Sequence, residues 1–212
     1  MTRALVVILL LTATARAEPS DQRLFVTGLA MVPPTYFLGV TLHEGSHAVM
    51  AKLLGAEVLE VRLFPPGRDP KVGAWRFGWT YVRGLTTRRD RQLFYIAPKF
   101  TDALLLGGFA AMVLTDAWPA NKYGSLALTV LGTGLWVDFA KDVIAFRKTN
   151  DVVKVFDLWC FRGWRQVPAR LVYSAVIVGF GLAVVRGFRR TFDDDDDTAT
   201  TARIVPFVTT AF

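Results

Sequence analysis

His43 and His47 are the only histidines of the chain, and with Glu44 they form the arrangement HExxH. On an α-helix, residues four apart lie on one face and one turn apart, so both imidazoles can ligate one zinc ion. Glu44 follows the first histidine, where its carboxylate can act on a water molecule as general base. The motif continues an apolar segment, in which an unliganded cluster of this kind would be costly. It therefore predicts a zinc site with hydrolytic chemistry.

A catalytic zinc site needs a third protein ligand and an open position. The chain has no third histidine, and Cys160 is its single cysteine, so we expect a carboxylate. Several aspartates lie within or beside apolar segments, namely Asp102, Asp138, Asp142 and Asp151. Asp138 follows a long uncharged stretch, and Asp142 lies one helical turn further on. Asp151 has an alternative interpretation as the N-cap of a helix that begins at Val152.

The composition predicts that a membrane surrounds this site. Of the 212 residues 52% are hydrophobic, and the mean hydropathy is +0.35, which excludes disorder and exceeds the needs of a water-soluble domain of this size. Four apolar segments are candidate transmembrane helices, at about 24–42, 93–115, 123–140 and 167–185. The first contains Pro33 and Pro34, which are expected to bend it rather than to exclude a span. Lys99, Asp102 and Asp138 fall in such segments and are expected to face the protein interior.

The segment between the first two predicted spans has the period of β-strands. Polar and apolar residues alternate over 57–64, the run Pro65-Pro66-Gly67 breaks the chain, and aromatic residues recur at every second position from Trp75 to Tyr81. This pattern predicts a small β-hairpin or sheet with an aromatic face, or an aromatic belt at the membrane surface. The predicted fold class is a mainly α, polytopic membrane protein with about four transmembrane helices and this small sheet between the first and second.

The net charge of +7 has two interpretations, nucleic-acid binding or membrane topology. Residues 48–100 contain ten basic and four acidic side chains, which agrees with a cytoplasmic segment under the positive-inside rule. The basic cluster 88–91 lies beside a membrane segment, where anionic lipid is the expected neighbour. We therefore expect a multi-pass protein of the bacterial inner membrane, with the bilayer and a membrane protein or peptide substrate as partners and no nucleic acid.

The ends of the chain predict its domain organisation. Residues 1–17 combine a basic Arg3, a short apolar run and Ala15-Arg16-Ala17, which is typical of a cleavable signal peptide; an uncleaved anchor helix is the alternative. Residues 18–190 are predicted to form a single membrane-embedded domain. Residues 191–212 are predicted to form an acidic tail. The run Asp193–Asp197 lacks the ligand spacing of a calcium-binding loop, so it is interpreted as a solubilising segment.

The segment 43–56, HEGSHAVMAKLLGA, resembles the first signature of the site-2 protease family of intramembrane zinc metalloproteases. The segment 97–102, APKFTD, is similar to the Gly/Ala-Pro-x-x-Asn segment that opens a later helix of that family. The resemblance implies a helical core with Zn²⁺ below the membrane surface, held by two histidines and an aspartate of a later helix. His43 and His47 match its zinc ligands, and Glu44 matches its general base.

The family's later aspartate lies in Leu-Asp-Gly, which this chain does not contain. Asp138 and Asp151 are the two residues that could take its place as the third zinc ligand. We prefer Asp138 for its depth in the membrane, and Asp151 is an almost equal candidate. The leading hypothesis is a membrane-embedded zinc metalloendopeptidase that hydrolyses peptide bonds of membrane-associated proteins. The alternative is an inactive, protease-like membrane scaffold or regulatory protein with or without a structural zinc, which the departures after Asp102 favour.

Overall fold

The computed structural model describes residues 19–144 and 150–192. In chain order its elements are α1 (Asp21–Leu53), β1 (Glu57–Arg62), β2 (Gly67–Arg68), β3 (Trp75–Arg76), β4 (Trp79–Arg83), α2 (Arg88–Leu114), α3 (Lys122–Ile144), α4 (Asp151–Leu158) and α5 (Val167–Phe192). Helices dominate, and the strands of the described ranges all lie between the first and second long helices, so the predicted fold class is confirmed. The predicted signal peptide, 1–17, and the acidic run 193–197 lie outside the described residues.

Within the described ranges, three helical stretches are long and apolar enough to cross a membrane: α1, α2 and Gly163–Phe192, in which a short 3-10 helix precedes α5. The remaining predicted span, 123–140, forms α3 but is not among these three, so the expected number of four is approximate. This helix carries polar residues, of which Ser125 and Thr129 are buried. Thr129 hydrogen-bonds Thr191 of α5 at 2.9 Å. In this way α3 lies inside the bundle, where protein partners satisfy its hydroxyl groups.

The helix that carries HExxH is continuous over 33 residues. It begins after Ser20, whose side-chain oxygen accepts a hydrogen bond from the main-chain nitrogen of Arg23. Pro33 and Pro34 lie within it and do not end it. After its end, Gly55 has a φ of +73°, a conformation that a residue without a Cβ adopts freely. The two prolines therefore do not exclude a span, as the sequence predicts.

The strands form two small antiparallel pairs, β1 with β4 and β2 with β3. The predicted single run from Trp75 to Tyr81 is wrong in one respect, because it is divided between β3 and β4. The division falls at Gly78, where a Cβ would lie 2.8 Å from the main-chain oxygen of Arg62 and 2.9 Å from Cγ of Glu44. The chain thus passes against α1 at a point that has no space for a side chain. The predicted aromatic face is divided as well, since Trp75 is exposed and Trp79 is buried.

A buried carboxylate organises the turn between β2 and β3. Oδ1 of Asp69 accepts hydrogen bonds from the main-chain nitrogens of Lys71 at 2.8 Å and Val72 at 3.2 Å, and from the hydroxyl of Tyr81. Burial raises the pKa of Asp69, but these hydrogen bonds and the Arg76 guanidinium outweigh it and hold the pKa below its usual value. Burial and the hydrogen bond to Asp69 together raise the pKa of Tyr81 to about 12. Both side chains therefore keep their usual charge states at neutral pH.

The helices converge around the end of α1. Buried Leu106 of α2 packs with Leu135 and Phe139 of α3, and Tyr173 and Phe180 of α5 cover this cluster. The cluster holds α3 between α2 and α5. It also brings the last turns of α3, which carry Asp138 and Asp142, towards α1, and α4 packs on α2.

Candidate metal centre

The two histidines of α1 turn their Nε2 atoms towards one carboxylate oxygen of α4. Nε2 of His47 lies 3.1 Å from Oδ2 of Asp151, and Nε2 of His43 lies 3.4 Å from the same oxygen. The imidazole rings are one helical turn apart, with centroids separated by 5.2 Å. All three side chains are largely removed from solvent. The spacing of HExxH thus produces the single-face pair that the sequence predicts.

The other ring nitrogens define the protonation of both histidines. Nδ1 of His47 lies 2.8 Å from the main-chain oxygen of Phe94, which can only accept, so this Nδ1 carries the hydrogen. Nδ1 of His43 lies 3.2 Å from Oδ2 of Asp138, so it donates to that carboxylate. In the neutral rings, each Nε2 then has a lone pair directed at Asp151. A cation between these three atoms would interact favourably with all of them.

The donor set fits Zn²⁺. Zinc binds imidazole nitrogen and carboxylate oxygen, and tetrahedral coordination with bonds of about 2.0–2.1 Å separates neighbouring ligand atoms by roughly 3.3 Å. The two N···O distances of 3.1 and 3.4 Å agree with this separation. Hydrogen bonds from Nδ1 to a carboxylate and to a main-chain oxygen are the outer contacts that zinc-binding histidines usually make.

Asp151 is free for this role because another residue caps its helix. The N-cap of α4 is Asn150, whose Oδ1 accepts a hydrogen bond from the main-chain nitrogen of Val152 at 2.8 Å. The alternative interpretation of Asp151 as the N-cap is therefore wrong by one residue. Oδ1 of Asp151 instead accepts from Nζ of Lys154 at 2.7 Å, which leaves Oδ2 directed at the histidines.

Asp102, Asp138 and Asp142 occupy a neighbouring position around an ammonium group. Nζ of Lys99 lies 2.9 to 3.0 Å from a carboxylate oxygen of each of these three aspartates. His43, Asp102 and Asp138 are close enough to hold a metal ion as a second group. However, Lys99 already supplies a positive charge at that position. The sequence preference for Asp138 rests on its depth in the membrane, whereas the geometry of the histidines favours Asp151.

The general-base candidate, Glu44, is buried and contacts the small sheet. Its Oε2 accepts a hydrogen bond of 2.8 Å from Oγ1 of Thr80 in β4, and the same hydroxyl lies 3.1 Å from the main-chain oxygen of Glu44. Sequence reasoning did not identify Thr80, because its strand lies 36 residues further along the chain. The main-chain oxygen of Phe94 has no sequence signal either, since any residue provides one. Lys99, by contrast, has a signal, namely a charge within an apolar span.

Comparison with known proteins identifies the family of the chain. A family model described as Peptidase M50B-like matches residues 4–210, which is almost the whole chain. No curated protein and no solved structure matches it. The match extends well beyond the HExxH motif, so it covers the helices that bring the other candidate ligands to α1. The chain therefore belongs to the Peptidase M50B-like family, the membrane metallopeptidases of the site-2 protease type.

Proposed function

We propose that this protein is a zinc-dependent endopeptidase that cleaves peptide bonds of membrane-associated proteins in or near the bilayer. One observation carries the proposal: Nε2 of His43, Nε2 of His47 and Oδ2 of Asp151 face one another as three electron-pair donors. These residues would hold the zinc ion. Members of the family are zinc-dependent in general, which supports the same assignment.

The proposed chemistry divides between the metal and the chain. When bound, zinc supplies a Lewis acid that polarises a peptide carbonyl and promotes ionisation of water. Glu44 accepts a proton from the attacking water and delivers it to the leaving amine nitrogen. Thr80 holds the Glu44 carboxylate in one orientation by its hydrogen bond. A helical substrate must unwind locally, because its peptide bonds are otherwise enclosed by hydrogen bonds within the helix.

Three further elements of the proposal concern its setting. The partners are the lipid bilayer and a membrane protein or peptide as substrate, and the basic side chains contact lipid rather than nucleic acid. The cellular location is the bacterial inner membrane. The spanning helices and the family support a multi-pass membrane location.

The proposal is tested by zinc content and by cleavage of labelled single-span peptides in liposomes. The purified wild-type protein should contain one zinc per chain and should cleave. Glu44→Gln should keep the zinc and lose cleavage by at least a thousandfold, since it removes the proton acceptor. Asp151→Ala should lose zinc, whereas Asp138→Ala should retain it with lower affinity.

Each contrary result has a defined meaning. Cleavage by Glu44→Gln at the wild-type rate would contradict the mechanism. Zinc retained by Asp151→Ala and lost by Asp138→Ala would mean that Asp138, and not Asp151, is the third zinc ligand. A wild-type protein that binds zinc but cleaves none of the peptides would favour the alternative of a protease-like scaffold.

A further inference from the structure

Lys99 of α2 is buried, with 3% of its side chain exposed. Its Nζ lies 3.0 Å from Oδ2 of Asp102, 3.0 Å from Oδ2 of Asp138 and 2.9 Å from Oδ2 of Asp142. It also donates a hydrogen bond of 2.8 Å to the main-chain oxygen of Asp138. A buried ammonium is costly unless carboxylates surround it. The burial of Lys99 among three aspartates therefore indicates a specific role within the fold. Asp138 and Asp142 each make a further contact that leads to the proposed metal centre.

The first connection reaches His43. Oδ2 of Asp138 accepts from Nζ of Lys99 at 3.0 Å and from Nδ1 of His43 at 3.2 Å. The ammonium therefore helps to position this oxygen, together with Lys141, which contacts the other oxygen of Asp138. The oxygen in turn determines the direction of the imidazole ring, because a hydrogen bond at Nδ1 fixes the orientation of Nε2.

The second connection reaches Asp151. Oδ1 of Asp142 accepts a hydrogen bond of 2.7 Å from Nδ2 of Asn150, and Oδ2 of the same carboxylate lies beside Lys99. Asn150 caps α4, and Asp151 is the first residue of that helix. The start of α4 is thus attached to the end of α3 through one carboxylate, and Lys99 holds that carboxylate.

We propose that Lys99 is a positioning residue that aligns both sides of the metal centre. Through Asp138 it orients His43 on α1, and through Asp142 and Asn150 it holds Asp151 on α4. Neither His43 nor Asp151 is close to Lys99 in sequence, and the three lie on different helices. The inference rests on the proposed function, since it assigns the zinc ligands to the same residues.

The test measures zinc affinity by competition with a chelator, together with the visible spectrum of the Co²⁺-substituted protein. The central variant is Lys99→Met combined with Asp102→Asn, which removes one positive and one negative charge. Asp102→Asn alone separates the effect of Lys99 from that of Asp102, which lies close to Asp138 and His43. Asn150→Ser keeps a good N-cap residue, but the serine side chain is too short to retain the hydrogen bond to Asp142.

The double variant should bind zinc 10- to 100-fold more weakly, which is the usual cost of losing an outer contact of a metal ligand, and its Co²⁺ spectrum should change. Asp102→Asn alone should weaken zinc binding less than the double variant, because Lys99 still holds Asp138 and Asp142, and Asn150→Ser should lose about tenfold. Combining Asn150→Ser with the double variant should cost less than the product of the two effects, because both act through one network.

Unchanged zinc affinity in the folded double variant would overturn the inference, even if its thermal midpoint fell, because that result describes a purely structural lysine. Should the double variant fail to fold, Asn150→Ser decides, and wild-type affinity in that variant would overturn the connection to Asp151. A wild-type protein that binds no zinc would overturn the proposed function itself. Tight zinc binding by the wild type and by every variant would overturn only the role of Lys99.

Discussion

At the scale of single residues, the two nitrogens of each histidine have separate functions. The Nδ1 atoms donate to Asp138 and to the main-chain oxygen of Phe94, and the Nε2 atoms face Asp151. This division selects one tautomer of each ring before a metal binds, which reduces the cost of forming the site. Glu44 is restrained in a comparable way, since its carboxylate accepts from the Thr80 hydroxyl.

Replacement of Thr80 tests this restraint. Thr80→Val keeps the shape of the side chain but removes the donor, so the buried Glu44 carboxylate loses a charge-assisted hydrogen bond of the kind that contributes about 1.5–3 kcal/mol. We expect kcat for peptide cleavage to fall about tenfold, with zinc content unchanged. Thr80→Ser keeps the hydroxyl and should cleave at nearly the wild-type rate. Equal rates for the valine and serine variants would argue against the restraint.

At the scale of elements, the strand region packs closely against α1, and a buried charge stabilises the turn between β2 and β3. Gly78 lets the chain between β3 and β4 pass against α1, and Thr80 of β4 reaches Glu44. The turn between β2 and β3 depends on Asp69, which accepts from two main-chain nitrogens and from Tyr81. The sheet is thus both a neighbour of the site and a separately stabilised unit.

The charge of Asp69 predicts a pH dependence of this unit. Because the folded pKa of Asp69 is lowered, its ionised form stabilises the turn above the unfolded value of about 3.9, and this contribution is lost as the pH falls through the folded pKa. Asp69→Asn should lower the local stability at pH 7 by about 1–3 kcal/mol. Hydrogen-exchange protection factors of residues 67–76 measure the effect, and the difference from the wild type should shrink at acidic pH. A difference that grows on acidification would contradict the assigned sign.

At the scale of the whole molecule, the candidate ligands connect the first long helix with the short helix α4. His43 and Asp151 are far apart in the chain, and the residues between them include the sheet, α2 and α3. A metal ion bound by both would therefore join parts of the fold that are distant in sequence. The large exposed apolar side chains of α1 and α5 face outward from this arrangement, where lipid is their natural solvent.

Removal of the metal should consequently lower the stability of the entire protein. A ligand that binds only the folded state adds about 4 kcal/mol when its free concentration is a thousandfold above Kd. Chelation should lower the thermal unfolding midpoint of the wild type, and added Zn²⁺ should restore it. Asp151→Ala is the control and should show no response to either treatment. A response of that variant equal to the wild type would mean that zinc acts elsewhere.

The sequence by itself determined the features that depend on near neighbours. The spacing of His43 and His47 places both on one helical face, the apolar runs predict long helices, and period-two alternation predicts the strands. It also identified Asp138 and Asp151 as the two aspartates to consider, and the structure brings both to the histidines. These predictions succeed because helix and strand periodicity relate residues within a single element.

The tertiary structure alone decided which nitrogen each aspartate meets. Asp138 and Asp151 lie 95 and 104 residues from their histidine partners, so their contacts depend on how α3 and α4 pack against α1. Depth in the membrane favoured Asp138 but carried no information about the direction of its carboxylate. The contact of Thr80 with Glu44 and the two connections of Lys99 have the same origin, because long-range packing and not sequence spacing sets the distances between separate elements.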